Sequence, residues 1–461
     1  MRIDGSVTRA RLAAASVCAF AILTPRSASA GGPLGPQGSP IRTSQYKIDL
    51  FQGPLLASSR IMGLGGAYTA VADGAEAIMY NPASVSLRPA HSTTYDDYDL
   101  TGGIVFPSSV TGTDFDNNGR RGFTYDSFYW ANVGGSVQHG HFGLGAFLSA
   151  QQYELGRPGD DVVIDQQRVD ELTLRLYRFD AVASYGFFDE QLHIGGGVRV
   201  ASFDAVDTTG SERLLFGAHA IGLQGGILAT PYRLPLRLGF AARSPLVGFE
   251  DEGSRVKKDD AGDRRVGAFY LPSNAEVPWE VEWGVATQLG KRALNIPWMD
   301  EDKVDPKESE PERRAVHGQR EPAYKAARRI LKRRYWKIPR ERILLSFSML
   351  LTGPASDAVG FESVLARTVD RSGQRVSLTS RAGAEAELWP NRLVLRAGSY
   401  VEPTRFNQSS TRVHATTAFD VRLIDWTVFG LYPEDTSFRL SAAIDGARDY
   451  FGWTVGVGIW R

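Results

Sequence analysis

The chain of 461 residues balances 52 basic against 52 acidic side chains, so it offers no net basic charge for a nucleic-acid partner. Its only cysteine is Cys18, which excludes a disulfide framework and thiolate metal sites. We therefore expect a large protein that is stabilised by burying its own apolar surface and needs no cofactor.

Residues 1–30 have the pattern of a secretory signal peptide. Basic residues begin it: Arg2, Arg9 and Arg11. An apolar run follows at residues 12–23, and Ala28-Ser29-Ala30 provides small residues before the expected cleavage site. The run is too short to span a bilayer as a helix. Cys18 lies inside it without a lipobox, so we predict cleavage rather than lipidation, which leaves 431 residues (461 minus 30).

Residues 31–92 form the predicted N-terminal segment, which is rich in small residues. It contains Gly63-Leu64-Gly65-Gly66-Ala67-Tyr68-Thr69-Ala70-Val71-Ala72-Asp73 and then Tyr80-Asn81-Pro82-Ala83. Closely spaced glycines favour tight backbone approach or positive φ, and an Asn-Pro step favours a turn. No strand-to-helix unit follows, which argues against a dinucleotide site. We expect a compact segment that threads a confined space.

From residue 93 to residue 461, apolar residues occupy every second position in several segments. These segments are residues 172–177, 192–199, 236–243, 279–289, 376–388 and 453–459. Such alternation predicts all-β structure, and it suits a transmembrane antiparallel barrel whose apolar face meets lipid and whose polar face lines the lumen. In this interpretation Leu172, Leu174 and Leu176 face lipid. A soluble β-sandwich also alternates, but the segments are long and carry Arg and Glu at mid-strand, which favours the barrel.

The lengths of the connections alternate as well. Residues 107–126, 154–170, 249–277 and 353–374 are long, whereas residues 138–141, 188–191, 231–235 and 390–392 are short. Outer-membrane barrels have short periplasmic turns and long external loops. The pattern predicts about 14 strands with both barrel ends of the chain on the periplasmic side. The expected location is the bacterial outer membrane, with its lipid and lipopolysaccharide as partners.

Residues 291–342 interrupt this alternation with a charged insertion. Successive connections lie on alternate sides of the membrane, and counting them from the first strand places this insertion in the periplasm. Its first half is acidic: Asp300, Glu301, Asp302, Asp305, Glu308, Glu310 and Glu312. Its second half is basic, and after Pro322 a stripe at helical spacing predicts a helix: Tyr324, Ala327, Leu331 and Tyr335. Three interpretations stay open, namely docking on the barrel floor, a surface for a periplasmic partner, and contact with anionic lipid.

The small-residue motif resembles the N-terminal hatch of FadL-type outer-membrane transporters. The residues that carry the resemblance are Gly63, Gly65, Gly66, Asp73, Asn81, Pro82 and Ala83. The resemblance implies a barrel of this class with a hatch in its lumen, and passive, hatch-gated uptake of hydrophobic molecules such as long-chain fatty acids. The same signature also resembles barrels that act as shuttles or scaffolds for surface or secreted proteins. The insertion, and the end of the chain on Arg461 rather than an aromatic residue, depart from the family pattern.

Other candidate sites are less specific. Asp114-Phe115-Asp116-Asn117-Asn118-Gly119 matches the opening of a calcium loop, but Tyr125 stands where a glutamate is needed, so an external turn is preferred. His139 and His141 lack a third metal ligand. His193 and His414 fall on lumen faces without a serine motif, so we expect no enzyme. No residue pattern identifies the ligand contacts.

Overall fold

The computed structural model describes residues 33–89, 92–107, 114–120, 123–156, 162–164, 167–169, 171–207, 212–250, 259–266, 269–317, 319–407, 410–425 and 437–460. The predicted signal peptide at residues 1–30 lies outside these ranges.

Fourteen long strands in the described part of the chain form one closed antiparallel barrel. In chain order they are β1 (Asp96–Pro107), β2 (Thr124–His139), β3 (Phe142–Gly156), β4 (Glu171–Phe187), β5 (Leu192–Asp207), β6 (Arg213–Ala229), β7 (Leu236–Arg243), β8 (Glu280–Gly290), β9 (Arg342–Thr352), β10 (Ser377–Trp389), β11 (Leu393–Glu402), β12 (Arg412–Asp425), β13 (Ser437–Ala447) and β14 (Tyr450–Ile459). Each strand pairs with the next, and β14 pairs with β1. The predicted fold class is confirmed.

The remaining elements are short. Helices are α1 (Ser59–Gly63), α2 (Pro306–Ser309), α3 (Ala323–Trp336) and α4 (Phe361–Ala366), with 3₁₀ turns at Ala75–Met79, Pro82–Ser86, Glu301–Lys303 and Glu310–Glu312. Short strands are Lys47–Asp49, Val162–Ile164, Gln167–Val169, Leu246–Val247, Phe249–Glu250, Arg265–Val266, Phe269–Tyr270, Asn274–Val277, Ala315–Val316, Gln319–Arg320, Ala358–Val359 and Arg371–Ser372. None of the helices in the described ranges is long and apolar enough to cross a membrane.

The barrel wall alternates in the way the sequence predicts. On β8, Trp283 points outward and is 40% exposed, whereas its neighbour Glu282 points inward and is fully buried. On β10, Leu378 is exposed while Arg381 and Glu385 are buried. An apolar outer face around a closed barrel is stable only in lipid, and this architecture is that of bacterial outer-membrane proteins. The outer membrane is therefore the location of the chain.

The prediction for the first half of β4 was wrong. Leu172, Leu174 and Leu176 face the barrel interior and are buried in its largest apolar cluster. Further along the strand, Tyr177 and Phe179 face outward, so the alternation continues in the opposite register from the one assumed. The assumption failed because it treated the whole lumen as polar, whereas this end of the lumen is apolar.

The two ends of the barrel differ in their connections. The outer end carries the long connections, residues 108–123, 157–170, 244–279 and 353–376. The turn end carries the short connections, and the insertion at residues 291–341 leaves from the same end, as parity predicts. Two late connections depart from this pattern: the eleven-residue connection between β12 and β13 falls at the turn end, and the two-residue connection between β13 and β14 falls at the outer end. Because outer-membrane barrels keep their long loops outside, we assign the outer end to the cell exterior.

Cysteine labelling is expected to confirm this sidedness. Ala261, in a long outer connection, and Lys307, in the insertion, are both exposed. A membrane-impermeant maleimide should label Ala261→Cys on intact cells, and should label Lys307→Cys only after the outer membrane is opened. Labelling in the reverse order would show that the topology is inverted.

The insertion folds on itself. Helix α3 buries Ala327 and Leu331 as predicted and packs them on Val304, whereas Tyr324 is 45% exposed and lies outside the buried stripe. The basic half pairs with the acidic half. The ion pairs are Arg328–Glu301, Arg329–Glu321, Arg333–Glu312 and Arg334–Glu308. Most of the arginine charge of α3 is thus neutralised within the insertion, which weakens the case for binding to anionic lipid.

The N-terminal segment begins at the outer end. Strand Lys47–Asp49 pairs in parallel with Asn274–Val277 and with Ala358–Val359, which belong to two long outer connections. The chain then runs through the barrel to the turn end, where β1 starts. We call residues 50–89 the inner segment. We call residues 33–49, 114–120, 259–266, 269–277 and 353–372 together the outer cap.

Candidate functional site

The inner segment lies against most of the wall of the lumen. Helix α1 contacts β11 to β14, the turn Ala75–Met79 contacts β1 to β4, and the turn Pro82–Ser86 contacts β2 to β6. Most of its residues from 57 to 87 are buried. The segment therefore occupies the cross-section of the barrel.

Wall glycines make this close approach possible. A Cβ atom added at any of four inward-facing positions would lie under 3.0 Å from atoms of the inner segment. These wall glycines and their neighbours are Gly143 with Val85, Gly195 with Pro82, Gly226 with Asn81 and Gly239 with Thr69. The segment thus packs backbone against wall, and a side chain at these positions would displace it.

The predicted glycine run forms the turn after α1. Gly65 and Gly66 have φ values of +59° and +76°, which strain other residues. Gly65 also lies against the backbone of Ser399 on β11, and Gly63 lies against Ala418 on β12. Glycine is therefore favoured at all three predicted positions, either by close contact with the wall or by a positive φ in the turn.

Asp73 ties the inner segment to the barrel through Arg237, and it also pairs with Arg60 of the same segment. Its carboxylate oxygens lie 3.0 Å from Arg60 of α1 and 2.7 Å from Arg237 of β7. Burial alone would raise the pKa of Asp73, but the two guanidinium groups hold it at about 2. The carboxylate is therefore charged at neutral pH and fixes the segment electrostatically.

Asn81, Pro82 and Ala83 form a second attachment. The Asn81 amide donates to the carbonyl of Thr69 at 2.9 Å and to the carbonyl of Ile227 on β6 at 3.1 Å. Its side-chain oxygen accepts from the amide of Ala83 at 3.0 Å, which caps the turn that Pro82 begins. This side chain therefore joins two parts of the segment to the wall.

Both lumen-facing histidines are buried. Ser86 Oγ lies 2.9 Å from Nδ1 of His193, whose Nε2 donates to the carbonyl of Glu190. His193 is therefore held by a backbone carbonyl and not by the carboxylate of a serine–histidine–acid triad. The hydrogen bond between Ser86 and His193 attaches the inner segment to β5. His414 lies between Asp445 at 2.8 Å and Glu402 at 2.7 Å. The sequence placed both rings in the lumen but did not identify these partners.

A network of ion pairs surrounds the inner segment. Glu385 on β10 accepts from Arg60, Arg342 and Arg396 at 2.7–2.9 Å. Arg396 continues to Asp420 at 2.8 Å. Buried charges of this kind persist only when they are paired, so displacing Arg60 would leave Glu385 less compensated.

Above the inner segment lies an apolar compartment, which we call the outer chamber. Inward-facing side chains of β3 to β6 and residues of the outer cap line it: Ile48, Leu155, Leu172, Leu174, Phe216, Phe269, Leu271 and Phe361. The free space among them is about 20 Å³, so the chamber is nearly filled by its own side chains. A lumen wall of this kind differs from the polar lining of a porin.

A second cavity of about 100 Å³ lies next to Leu50 and Leu55 of the inner segment. Arg178, Arg199, Arg243 and Arg381 line its wall. Arg199 pairs with Asp180, and Arg243 and Arg381 pair with Glu282. Arg178 forms no hydrogen bond or ion pair with any residue that the structure describes, and its Nε is buried. Glu280 and Glu282 also line the cavity, which thus combines apolar surface with one cation that has no direct ion pair among the described residues.

The calcium-like motif forms a turn in the outer cap. Asp114 accepts from the amides of Asn118 and Gly119 at 2.9 Å, and Asn118 donates to Glu362 of α4 at 2.6 Å. Within the described ranges, no three His, Cys, Asp or Glu side chains are arranged to hold a metal ion. His139 and His141 face separate carboxylates, Asp96 and Glu190. Through the contact between Asn118 and Glu362, the calcium-like motif joins the connection 108–123 to the connection 353–376.

The outer cap is expected to loosen as the pH rises through about 7. Burial raises the pKa of Glu362 from 4.5 to about 7, and the nearby Asp114 adds to the shift. Because the folded pKa exceeds the unfolded one, the stabilising contribution is complete below the unfolded value and is lost as the pH rises through the folded value. Hydrogen exchange in residues 358–372, corrected for intrinsic rates, should be faster at about pH 8.5 than at about pH 5.5.

The variant Glu362→Gln should remove most of this pH dependence, because it cannot ionise. An unchanged pH profile in the variant would assign the effect to another group, such as Asp116.

The fold defines a class, that of outer-membrane β-barrels, and in this barrel an N-terminal segment lies inside the lumen. No protein-family model and no curated protein matches the sequence. Similar solved structures include the CymD monoaromatic hydrocarbon channel (11% identity over 87% of this chain and 96% of that chain, TM-score 0.47). A Pseudomonas aeruginosa FadL homologue matches with 11% identity, 92% and 99% coverage and a TM-score of 0.47. The TodX monoaromatic hydrocarbon channel deltaS2 mutant matches with 12% identity, 87% and 98% coverage and a TM-score of 0.43.

Proposed function

We propose that the protein is a passive outer-membrane channel for hydrophobic molecules and that the inner segment is its hatch. The observation that carries the proposal is the outer chamber, an apolar compartment on the inside of a membrane barrel. Transfer of an alkyl chain from water to such a compartment is favourable by ~0.8 kcal/mol per methylene. Capture from outside therefore needs no energy source.

The filled state of the chamber supports gating. Its free volume of about 20 Å³ is far below the ~300–1,000 Å³ of ordinary ligand sites. A ligand must therefore displace side chains, and Ile48 and Leu50 are among those that pack there. Leu50 is the first residue of the inner segment and Ile48 lies just before that segment, so entry of a ligand pulls on the same chain that fills the lumen.

Long-chain fatty acids are the substrate class that the geometry suits. The apolar chamber would hold the alkyl chain, and Arg178 would supply a counter-ion for the carboxylate. An arginine forms charge-assisted hydrogen bonds to a carboxylate that a neutral hydrocarbon cannot form. The proposed substrate is thus an amphipathic anion rather than an uncharged hydrocarbon alone.

The test is uptake of labelled oleate and labelled toluene by cells that lack other uptake barrels. The protein should raise oleate uptake several-fold over an empty vector. Leu174→Asn, which places a polar group in the outer chamber, should reduce uptake of both compounds, and Arg178→Ala should reduce uptake of oleate only. The matched control is Tyr177→Phe on the lipid-facing side of β4. If the wild-type protein takes up neither compound but co-purifies with surface proteins, the shuttle or scaffold function replaces this proposal.

A further inference from the structure

The first residues of the insertion cross the mouth of the barrel at the turn end. We call residues 291–298 the strap. The strap leaves β8, and the Asn295 amide donates at 2.9 Å to the carbonyl of Pro231, in the turn between β6 and β7, and to the carbonyl of Leu236, the first residue of β7. Trp298 then packs under Arg88, with 4.2 Å between the guanidinium carbon and the centre of the ring. It also contacts His141, in the turn between β2 and β3, which lies nearly opposite β8 in the barrel.

Between the strap and the inner segment lies a cavity of about 150 Å³, which we call the exit cavity. Seven carboxylates in the described ranges line it, Asp73, Glu76, Asp99, Glu190, Glu385, Glu387 and Asp420, and the three that lie among its arginines form ion pairs. Asp73 pairs with Arg60 and Arg237, and Asp420 pairs with Arg396 and Arg439. Glu385 accepts from three arginines. Among the described residues of this wall, Asp420 Oδ1 is the one carboxylate oxygen that is buried without a donor.

Arginines in the same wall have unused donors. The Nε of Arg342, the Nη1 of Arg396 and the Nε of Arg439 are buried without an acceptor among the described residues. Arg292, from the strap, forms no hydrogen bond or ion pair through its guanidinium with any part of the chain that the structure describes. A buried donor without an acceptor costs free energy, and among the described residues of this wall the three unused donors outnumber the one unpaired acceptor, Asp420 Oδ1.

Arg292 also lies near two other arginines. Burial and then the neighbouring Arg342 lower its pKa, and Arg340 adds to the effect. Tyr335 and Glu387 are the other titratable groups near it, and Arg340 lies 3.7 Å from Glu387. An anion placed between Arg292 and Arg342 would relieve this repulsion and accept from the unused donors.

We propose that the exit cavity is a carboxylate-binding site, held by Arg292 and Arg342, that receives the head group of an amphipathic anion leaving the lumen. The proposal rests on the proposed channel function and adds a second ligand-binding site to the one at Arg178. The insertion creates this second site, because residues of the strap form one wall of the exit cavity.

Octanoate and 1-octanol are matched probes, since they share a chain length and differ in charge. Calorimetric titration of the full protein in detergent micelles should give two octanoate sites. Arg292→Ala should weaken one site at least tenfold, as expected for the loss of a charged hydrogen bond. Arg292→Lys should restore part of the affinity, and Lys325→Ala, an exposed cation on the same insertion, should change nothing. None of these variants should alter binding of octanol.

The outcomes separate the two proposals. A single octanoate site that is lost in Arg178→Ala and unaffected by Arg292→Ala overturns the exit site and leaves the channel function standing. Displacement of octanoate from the Arg292 site by equimolar inorganic phosphate also overturns it, because the site would then bind any small anion. Failure of the wild-type protein to bind either probe overturns the channel function itself.

Discussion

Replacing Gly239 by valine is expected to make the outer membrane permeable to large polar solutes. A Cβ atom at this position would lie under 3.0 Å from the Thr69 carbonyl and the Ala70 Cα. A strand in a closed barrel cannot move away because its two neighbours hold it, so the inner segment must move. Cells that express the variant should become several-fold more sensitive to vancomycin, and the purified variant should show raised conductance in planar bilayers.

The matched control is Gly446→Val on β13, where nothing lies within 4 Å of an added Cβ. Deletion of residues 58–83 tests the same idea by removal and should give a larger conductance than Gly239→Val. If both variants assemble as heat-modifiable barrels and conduct no more than the wild type, the inner segment does not close the lumen.

Replacing Arg237 by alanine is expected to release the strap and the inner segment together. The Arg237 guanidinium donates to Val71 and Asp73 of the inner segment and to Leu294 and Asn295 of the strap at 2.7–3.2 Å. Removing one partner of a buried charge network costs about 3 kcal/mol. Hydrogen exchange in residues 291–298 should therefore accelerate by about 100-fold.

The variant Arg237→Lys separates the contribution of the positive charge of Arg237 from that of its planar guanidinium group. Lysine retains the charge but cannot reproduce the planar fork, so we expect exchange rates between those of the wild type and Arg237→Ala. The control Lys325→Ala should leave exchange in the strap unchanged. Faster exchange in the strap without any change in residues 69–74 would show that the two segments open independently.

The residues around the candidate site differ in how far the sequence anticipates them. Gly65 and Gly66 could be singled out because closely spaced glycines signal positive φ or close approach. Asn81 could be singled out because it precedes a proline. Their partners, such as Ile227 and Ser399, could not, because those residues are distant in the chain and carry no unusual local pattern.

The sequence by itself determined the barrel, its even strand number and the end from which residues 291–342 leave. These features follow from local rules, since side chains alternate with a period of two along a strand and each connection reverses the direction of the chain. The predicted helix after Pro322 is confirmed for the same reason, because helical spacing is also local.

Only the tertiary structure decided the orientation of Leu172, Leu174 and Leu176, the path of residues 33–49 to the outer end, and the meeting of the strap with the inner segment at Arg237. Alternation specifies that two faces differ but not which face is inside, and here the interior is apolar at one end. The other two features depend on closure of the barrel, which brings residues such as Asp73, Arg237 and Asn295 together across long stretches of chain. Such contacts arise from pairing between distant strands, for which a single sequence carries no local signal.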